Sequence, residues 1–279
     1  MMEEEVFSVL DLELEDKNNL NNPQFVSFYA RDITTFCCEN GKKTMSRFGY
    51  LDIQKDINEK MRAILVDWLV DVHSKFKLRS ETLFLTVNLI DRYLNEREVS
   101  RQKLQLVGVA CMLIACKYEE IYAPEVKDFV YITDNAYDRE EVLEMEGKIL
   151  EVLKFNLLTH SANFFLERFA QLTDCTEKAL MLARYLLELS LVEYKMIKFS
   201  PIHLASSAVY LSKKLFKLEN PWTDTLQRNT NMTEAEVRIC AKDMCLLLQY
   251  SDKNNLQAVK RKFSTPKFLG ISKVQLEKK

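Results

Sequence analysis

Glycine and proline are scarce, five of each in 279 residues. A sheet-rich chain needs many more turn residues, so long helices are expected. A basic excess is also missing. The net charge of −2 offers no global field for nucleic acid. No apolar run approaches the ~18 residues of a membrane-crossing helix. No secretory leader opens the sequence. The seven cysteines (Cys37, Cys38, Cys111, Cys116, Cys175, Cys240, Cys245) are odd in number and contain no Cys-x-x-Cys. Most sit in apolar helical stretches, which predicts free thiols in a reducing compartment, nucleus or cytoplasm.

Enzyme signatures are missing too. There is no Gly-x-Gly-x-x-Gly and no Gly-x-x-x-x-Gly-Lys-[Ser/Thr]. His73, His160 and His203 lie far apart, and none is spaced with Cys or acid as a zinc ligand. No spacing gives a Ser or Cys nucleophile its base. Acid pairs such as Glu119-Glu120, Glu140-Glu141 and Glu234 with Glu236 fit helix starts, where they complement the dipole. No catalytic residue, cofactor or metal is expected.

What is present is helical pattern, with 47% hydrophobic residues to build a core. Residues 1–22 hold seven acids against Lys17 and read as a mobile lead-in. Residues 23–50 read as a helix from Pro23 to Cys38, broken by Asn40-Gly41-Lys42-Lys43, then a linker. Tyr29, Ile33 and Phe36 make one stripe on that helix, which the chain's own core could take. From 51 to 158 five helices are expected. The first opens at Asp56 with Glu59, the second at Ser80, the third at Ser100, the fourth with Pro124 at its first position and the fifth at Asp138 with Glu141. From 159 to 252 the pattern recurs, opening at Ser161, Asp174 with Glu177, Ser200-Pro201, Pro221-Trp222 and Thr233 with Glu236. The third helix of each set carries small residues at i, i+3, i+7: Gly108, Cys111, Ala115, then Ala205, Ala208, Ser212. Two sets ordered long, long, long, short, long imply an internal duplication. Residues 253–279 form a basic tail whose Phe263, Phe268, Leu269 and Ile271 predict partial packing. Thr265-Pro266 fits the proline-directed phosphorylation pattern, a match short enough to arise by chance.

The densest stretch is Met61 to Val72. Met61, Ile64, Leu65, Trp68 and Val72 fall on one side of a helix, Ala63, Val66 and Val70 on the other. Two apolar faces mean either a helix buried all round or one with a second face for a partner, edged by Asp71. Spacing alone fits both. Arg62 and Asp91 are charges set inside strongly apolar helices, each unusual to bury alone.

MRAILVDWLVDVHSKFKL resembles the opening helix of the cyclin box of mitotic cyclins, B-type above all. The resemblance continues through ETLFLTVNLIDRYL, VSRQKLQLVGVACMLIACKYEEIYAPEVKDFVYITDNAY and MEGKILEVLKFNL. It is close over 50–158 and looser from about 23 to 270. It implies an all-α protein of two tandem five-helix cyclin boxes with an N-terminal helix. It also implies a non-enzymatic subunit that binds and activates a cyclin-dependent serine/threonine kinase in cell-cycle control around G2/M.

By sequence alone Lys117 and Glu146 are ordinary surface charges beside core apolars. The resemblance makes them the residues that hold the kinase, with Tyr118, Glu119, Glu120, Ile121, Leu150 and Phe155 around them and Tyr29, Ile33 and Phe36 as a further contact. It assigns Met61, Ile64, Leu65, Trp68 and Gln105 to a groove for Arg-x-Leu peptides of substrates or inhibitors. Asp71 would meet the Arg there, weakened by standing where many relatives carry Glu. It pairs Arg62 with Asp91 inside the first box. The N-terminal arm shows no Lys-Glu-Asn and no Arg-x-x-Leu, so removal through such a motif is not expected from it. Two other classes share features: a two-box adaptor of the transcription factor IIB type, which needs a basic face, and a helical scaffold with no kinase partner. Neither nucleic acid nor membrane is an expected partner.

Overall fold

A computed structural model describes residues 12–173 and 175–274. Among the described residues there is no strand. Thirteen α-helices follow one another in the described residues. A short α1 (Leu14–Asn18) and α2 (Ala30–Lys43) lead into a first set of five: α3 (Glu59–Phe76), α4 (Ser80–Glu96), α5 (Leu104–Glu119), α6 (Val126–Ile132) and α7 (Arg139–Val152). The second set is α8 (Ala162–Gln171), α9 (Glu177–Val192), α10 (Pro201–Leu215), α11 (Asp224–Thr230) and α12 (Glu234–Tyr250). The tail adds α13 (Ala258–Phe263). The two sets share one order of lengths, with a seven-residue fourth helix in each.

The third helix of each set is the axis of its bundle. Every residue of α5 from Leu106 to Cys116 is buried. Ala205, Ala208 and Ser212 are likewise buried on α10. The small residues let neighbours close in. A Cβ on Gly108 would lie 2.8 Å from Leu65 Cδ1, so α3 approaches α5 as far as a bare Cα allows.

Helix α3 serves both bundles. Leu65, Leu69 and Val72 join the first core, whereas Val66 and Val70 join the second, with Leu83, Phe84 and Val87 of α4. Both apolar faces of α3 thus feed a core, while Ile64 on the first of them stays 49% exposed. The tail completes the seam: Val259, Phe263 and Ile271 are buried in the second core, with Phe263 5.2 Å from the Tyr185 ring. Lys262 and Glu188 form a buried ion pair at 2.6 Å there.

Several helix starts differ from the sequence expectation. Asp138 with Glu141, Ser161, Ser200 and Thr233 with Glu236 cap as expected. Asp56 does not cap α3. Its carboxylate accepts from Arg101 backbone and guanidinium at 2.8 Å, and Asn58 caps instead, accepting from Met61 N. Ser80 does not cap α4; Glu120 reaches across to Arg79 N. Glu125 with Asp128 opens α6 two residues beyond Pro124, and Thr223 opens α11 beyond Pro221-Trp222. At these last two helices a side chain able to accept from N3 takes the position that proline or an apolar residue cannot. Thr176 caps α9; the Asp174 expected there lies outside the described residues. Helix α2 runs through Gly41 to Lys43 rather than breaking, with two lysines complementing its C-terminal dipole.

The lead-in reading changes from residue 13 onward, residues 1–11 lying outside the described residues. Asp16 is buried and takes a two-pronged bond from Arg168 at 2.6 and 2.7 Å, and Glu13 pairs with Arg228 at 3.0 Å. The acidic segment thus clips onto α8 and α11. All seven cysteines are free. Burial pushes the Cys116 and Cys240 thiols up to about 12, which leaves them protonated and inert. No helix among the described residues is long and apolar enough to cross a membrane.

Candidate functional site

Arg62 and Asp91 are brought together as expected. Arg62 Nε and Nη2 donate to the two Asp91 oxygens at 2.7 Å each, with Arg62 only 1% exposed. Tyr50 donates its hydroxyl to Asp91 at 2.7 Å, and burial followed by Asp91 raises that phenol above its usual range. Arg62 Nη1 donates to Leu191 O at 2.9 Å. That carbonyl belongs to the last turn of α9, so the pair joins the two boxes as well as filling the first. Its role is structural.

Lys117 and Glu146 also meet. Lys117 ends α5, Glu146 lies midway along α7, and Nζ stands 2.6 Å from Oε1. Glu146 is largely buried and Lys117 half-exposed, so the carboxylate is fixed and the ammonium reaches outward. Around them large apolar groups stand in solvent. Ile121 is 87% exposed, Phe155 71% and Tyr122 93%; Tyr118 is exposed and Leu150 half-buried. Apolar surface of this kind beside a fixed charge has the composition that docking surfaces share. Lys154 and Phe155 have φ of 52° and 54°. A left-handed turn at two non-glycine residues costs about 1–2 kcal/mol each. It sends the Phe155 ring away from the core, while the Phe155 N–H still closes α7 on Leu150 O at 2.9 Å.

Tyr122 and Gly147 were not singled out by sequence. Tyr122 carries no signal beyond its place beside Ile121. Gly147 does: it is a mid-helix glycine next to Glu146, and a Cβ there would meet nothing within 4 Å. The fold gives no reason for it, whereas close approach of another chain would. Glu120 separates from the group, because its carboxylate is taken by Arg79 N and the Thr82 hydroxyl at the start of α4. Glu119 is half-buried, its carboxyl pushed up by burial and then by Glu81.

Helix α2 turns Ile33 and Phe36 to solvent, with Tyr29 exposed in the 3-10 turn just before it, and packs with Ala30, Thr34, Cys37 and Gly41 instead. The stripe therefore does not feed the chain's own core. Phe36 lies edge-on to His160, which in turn contacts Phe164. Leu158, between Phe155 and His160 in the interbox segment, is exposed as well. Apolar surface thus recurs from the end of α7 to α2.

The α3 patch is smaller than expected. Leu65 is 6% exposed, its side chain filling the room Gly108 leaves, so it cannot line an outer groove. Ile64 is 49% exposed; Met61, Trp68 and Gln105 are half-buried. Asp71 is exposed but already engaged, with Arg261 Nη2 at 2.6 Å from its Oδ2.

Two tandem five-helix boxes and an ion pair rimmed by exposed apolar side chains define the class of fold. Residues 32–158 match the cyclin N-terminal domain and residues 161–277 the cyclin C-terminal domain. The chain belongs to the cyclin family. It is 43% identical over 263 residues to Cyclin-A1-1 of Oryza sativa subsp. japonica, covering 92% of this chain and 52% of that one. It is 43% identical over 260 residues to G2/mitotic-specific cyclin-1 of Medicago sativa subsp. varia, covering 93% and 61%. With Cyclin-B2-1 of Arabidopsis thaliana the identity is 42% over 273 residues, covering 96% and 62%. The chain thus spans between half and two thirds of these relatives. In fold it is similar to a viral cyclin from herpesvirus saimiri, with TM-score 0.67, 20% identity and coverage of 77% and 97%. A chain of the yeast RNA Pol II CTD kinase CTDK-1 complex gives TM-score 0.59 at 15% identity, covering 79% and 72%.

Proposed function

We propose that this chain binds and activates a cyclin-dependent serine/threonine kinase, in nucleus and cytoplasm, and acts around G2/M. The Lys117–Glu146 pair ringed by Ile121, Tyr122 and Phe155 carries the reading. The name of the Medicago relative supports the phase. The protein makes no bond itself. A kinase needs a Lys–Glu ion pair whose Glu rides on a movable helix, and an ordered activation loop. A rigid surface that fits only the inward position of that helix shifts the kinase to its active state. The activation equals at most the difference in binding between the two states. Tyr29, Ile33 and Phe36 extend the contact. The α3 patch of Met61, Ile64, Trp68, Gln105 and Asp71 recruits substrates or inhibitors bearing Arg-x-Leu.

The test is a pull-down with a cyclin-dependent kinase subunit followed by phosphorylation of a histone-type substrate. Lys117→Ala together with Glu146→Ala removes both halves of the pair, so no buried carboxylate is stranded and the fold survives. Binding and activation should be lost while the thermal midpoint stays near that of the parent. Retention of full kinase activation by the folded double variant would overturn the assignment.

A further inference from the structure

Beside the local Lys260–Asp252 pair, two ion pairs tie the tail to distant helices, and they differ in kind. Lys262 with Glu188 is buried. Arg261 with Asp71 is not: the side chains are 60% and 51% exposed. The backbone between them is held firmly. Ala258 N donates to Asp67 Oδ1 at 2.9 Å, one turn before Asp71, and Phe263 is buried between Tyr185 and Phe268. The Arg261 side chain can therefore leave Asp71 by changing rotamer, with α13 staying in place. Asp71 lies on the same side of α3 as Ile64, two turns further on. Asp67, the other acid near this edge, is occupied by the start of α13.

We propose that Arg261 is a resident competitor for the cation site of the α3 patch, so that an incoming peptide's guanidinium must displace it. The inference rests on the docking reading of that patch. The effect is a threshold rather than a block. Exposed ion pairs are weak and screened by salt. A peptide with an apolar side chain but no cation meets no competition, and one with arginine gains less from Asp71 than a vacant carboxylate would give. The tail so narrows the difference between the two peptide classes.

The test uses the full chain and two fluorescein-labelled peptides, one with an Arg-x-Leu core and one with Ala-x-Leu, read by anisotropy. Arg261→Gln should tighten the arginine peptide by about 2- to 5-fold at about 50 mM salt, less at high salt. The alanine peptide should be unaffected. In an Asp71→Asn background Arg261→Gln should change neither affinity. The proposal is overturned if Asp71→Asn weakens the arginine peptide but Arg261→Gln leaves it unchanged, or if Arg261→Gln shifts both peptides equally. Failure of both peptides to bind parent and variant removes the docking reading itself, and the competitor with it. Circular dichroism of each variant checks that α13 and the boxes remain folded.

Discussion

Arg62 is surrounded by groups that accept from it: two carboxylate oxygens and the Leu191 carbonyl. A buried guanidinium stays charged, so the acceptors cannot be dispensed with one at a time. Arg62→Ala strands Asp91 and leaves the α9 terminus without a donor. The expected cost is about 3–5 kcal/mol, read as a shift in denaturation midpoint with kinase-free protein. An unchanged midpoint would remove the pair from the stability account. That both charges are buried was legible, because each interrupts an apolar helical pattern; that they pair came from the resemblance to cyclins. The bond to Leu191 was not legible. A carbonyl has no side-chain identity, and this one lies 129 residues away. Leu65 was misread for a related reason. Its helical angle is that of an outer residue, and only the distance to Gly108 shows that a neighbouring helix occupies that side.

At the scale of elements, α7 carries the clearest mismatch between stability and sequence. Gly147 sits in mid-helix with empty space where a side chain would be. Alanine there should stabilise the isolated chain by about 1 kcal/mol, measured by chemical denaturation. A bulky residue such as Trp at 147 should leave the fold intact and weaken kinase capture, and unaltered capture would detach Gly147 from the interface. The order of the ten box helices was readable from caps and periodicity, with Asp138, Ser161, Ser200 and Thr233 each carrying the needed acceptor, whereas α1 and α13 were not. At Pro124 and Pro221 the helix began later than expected, whereas Pro201 takes the first position of α10 as expected. Proline tolerates the first turn but does not demand it. The left-handed turn at Lys154 and Phe155 left no trace in the sequence, because neither residue favours it.

The whole molecule is held as one piece by α3, α4 and the tail. Phe263 is 1% exposed and packs on Tyr185 and Phe268, at the junction that α13 makes between α3 and α9. Phe263→Ala should cost about 3–5 kcal/mol. It should lower a single cooperative transition, followed by calorimetry, rather than release one box first. Two separated transitions in the parent protein would show instead that the boxes unfold independently. Partial packing of the tail was expected from its four large apolar residues, but its attachment to α3 was not, because no local pattern ties Asp67 or Asp71 to partners 191 and 190 residues away.

The double duty of α3 bears on how such proteins can be recombined. Val66 and Val70 lie in the second core although they belong to the first repeat. A hybrid joined at the linker between the repeats would marry one parent's valine face to the other's bundle. Domain exchange within this lineage therefore has to carry residues 59–76 along with the downstream half, or mutate both sides of the seam together.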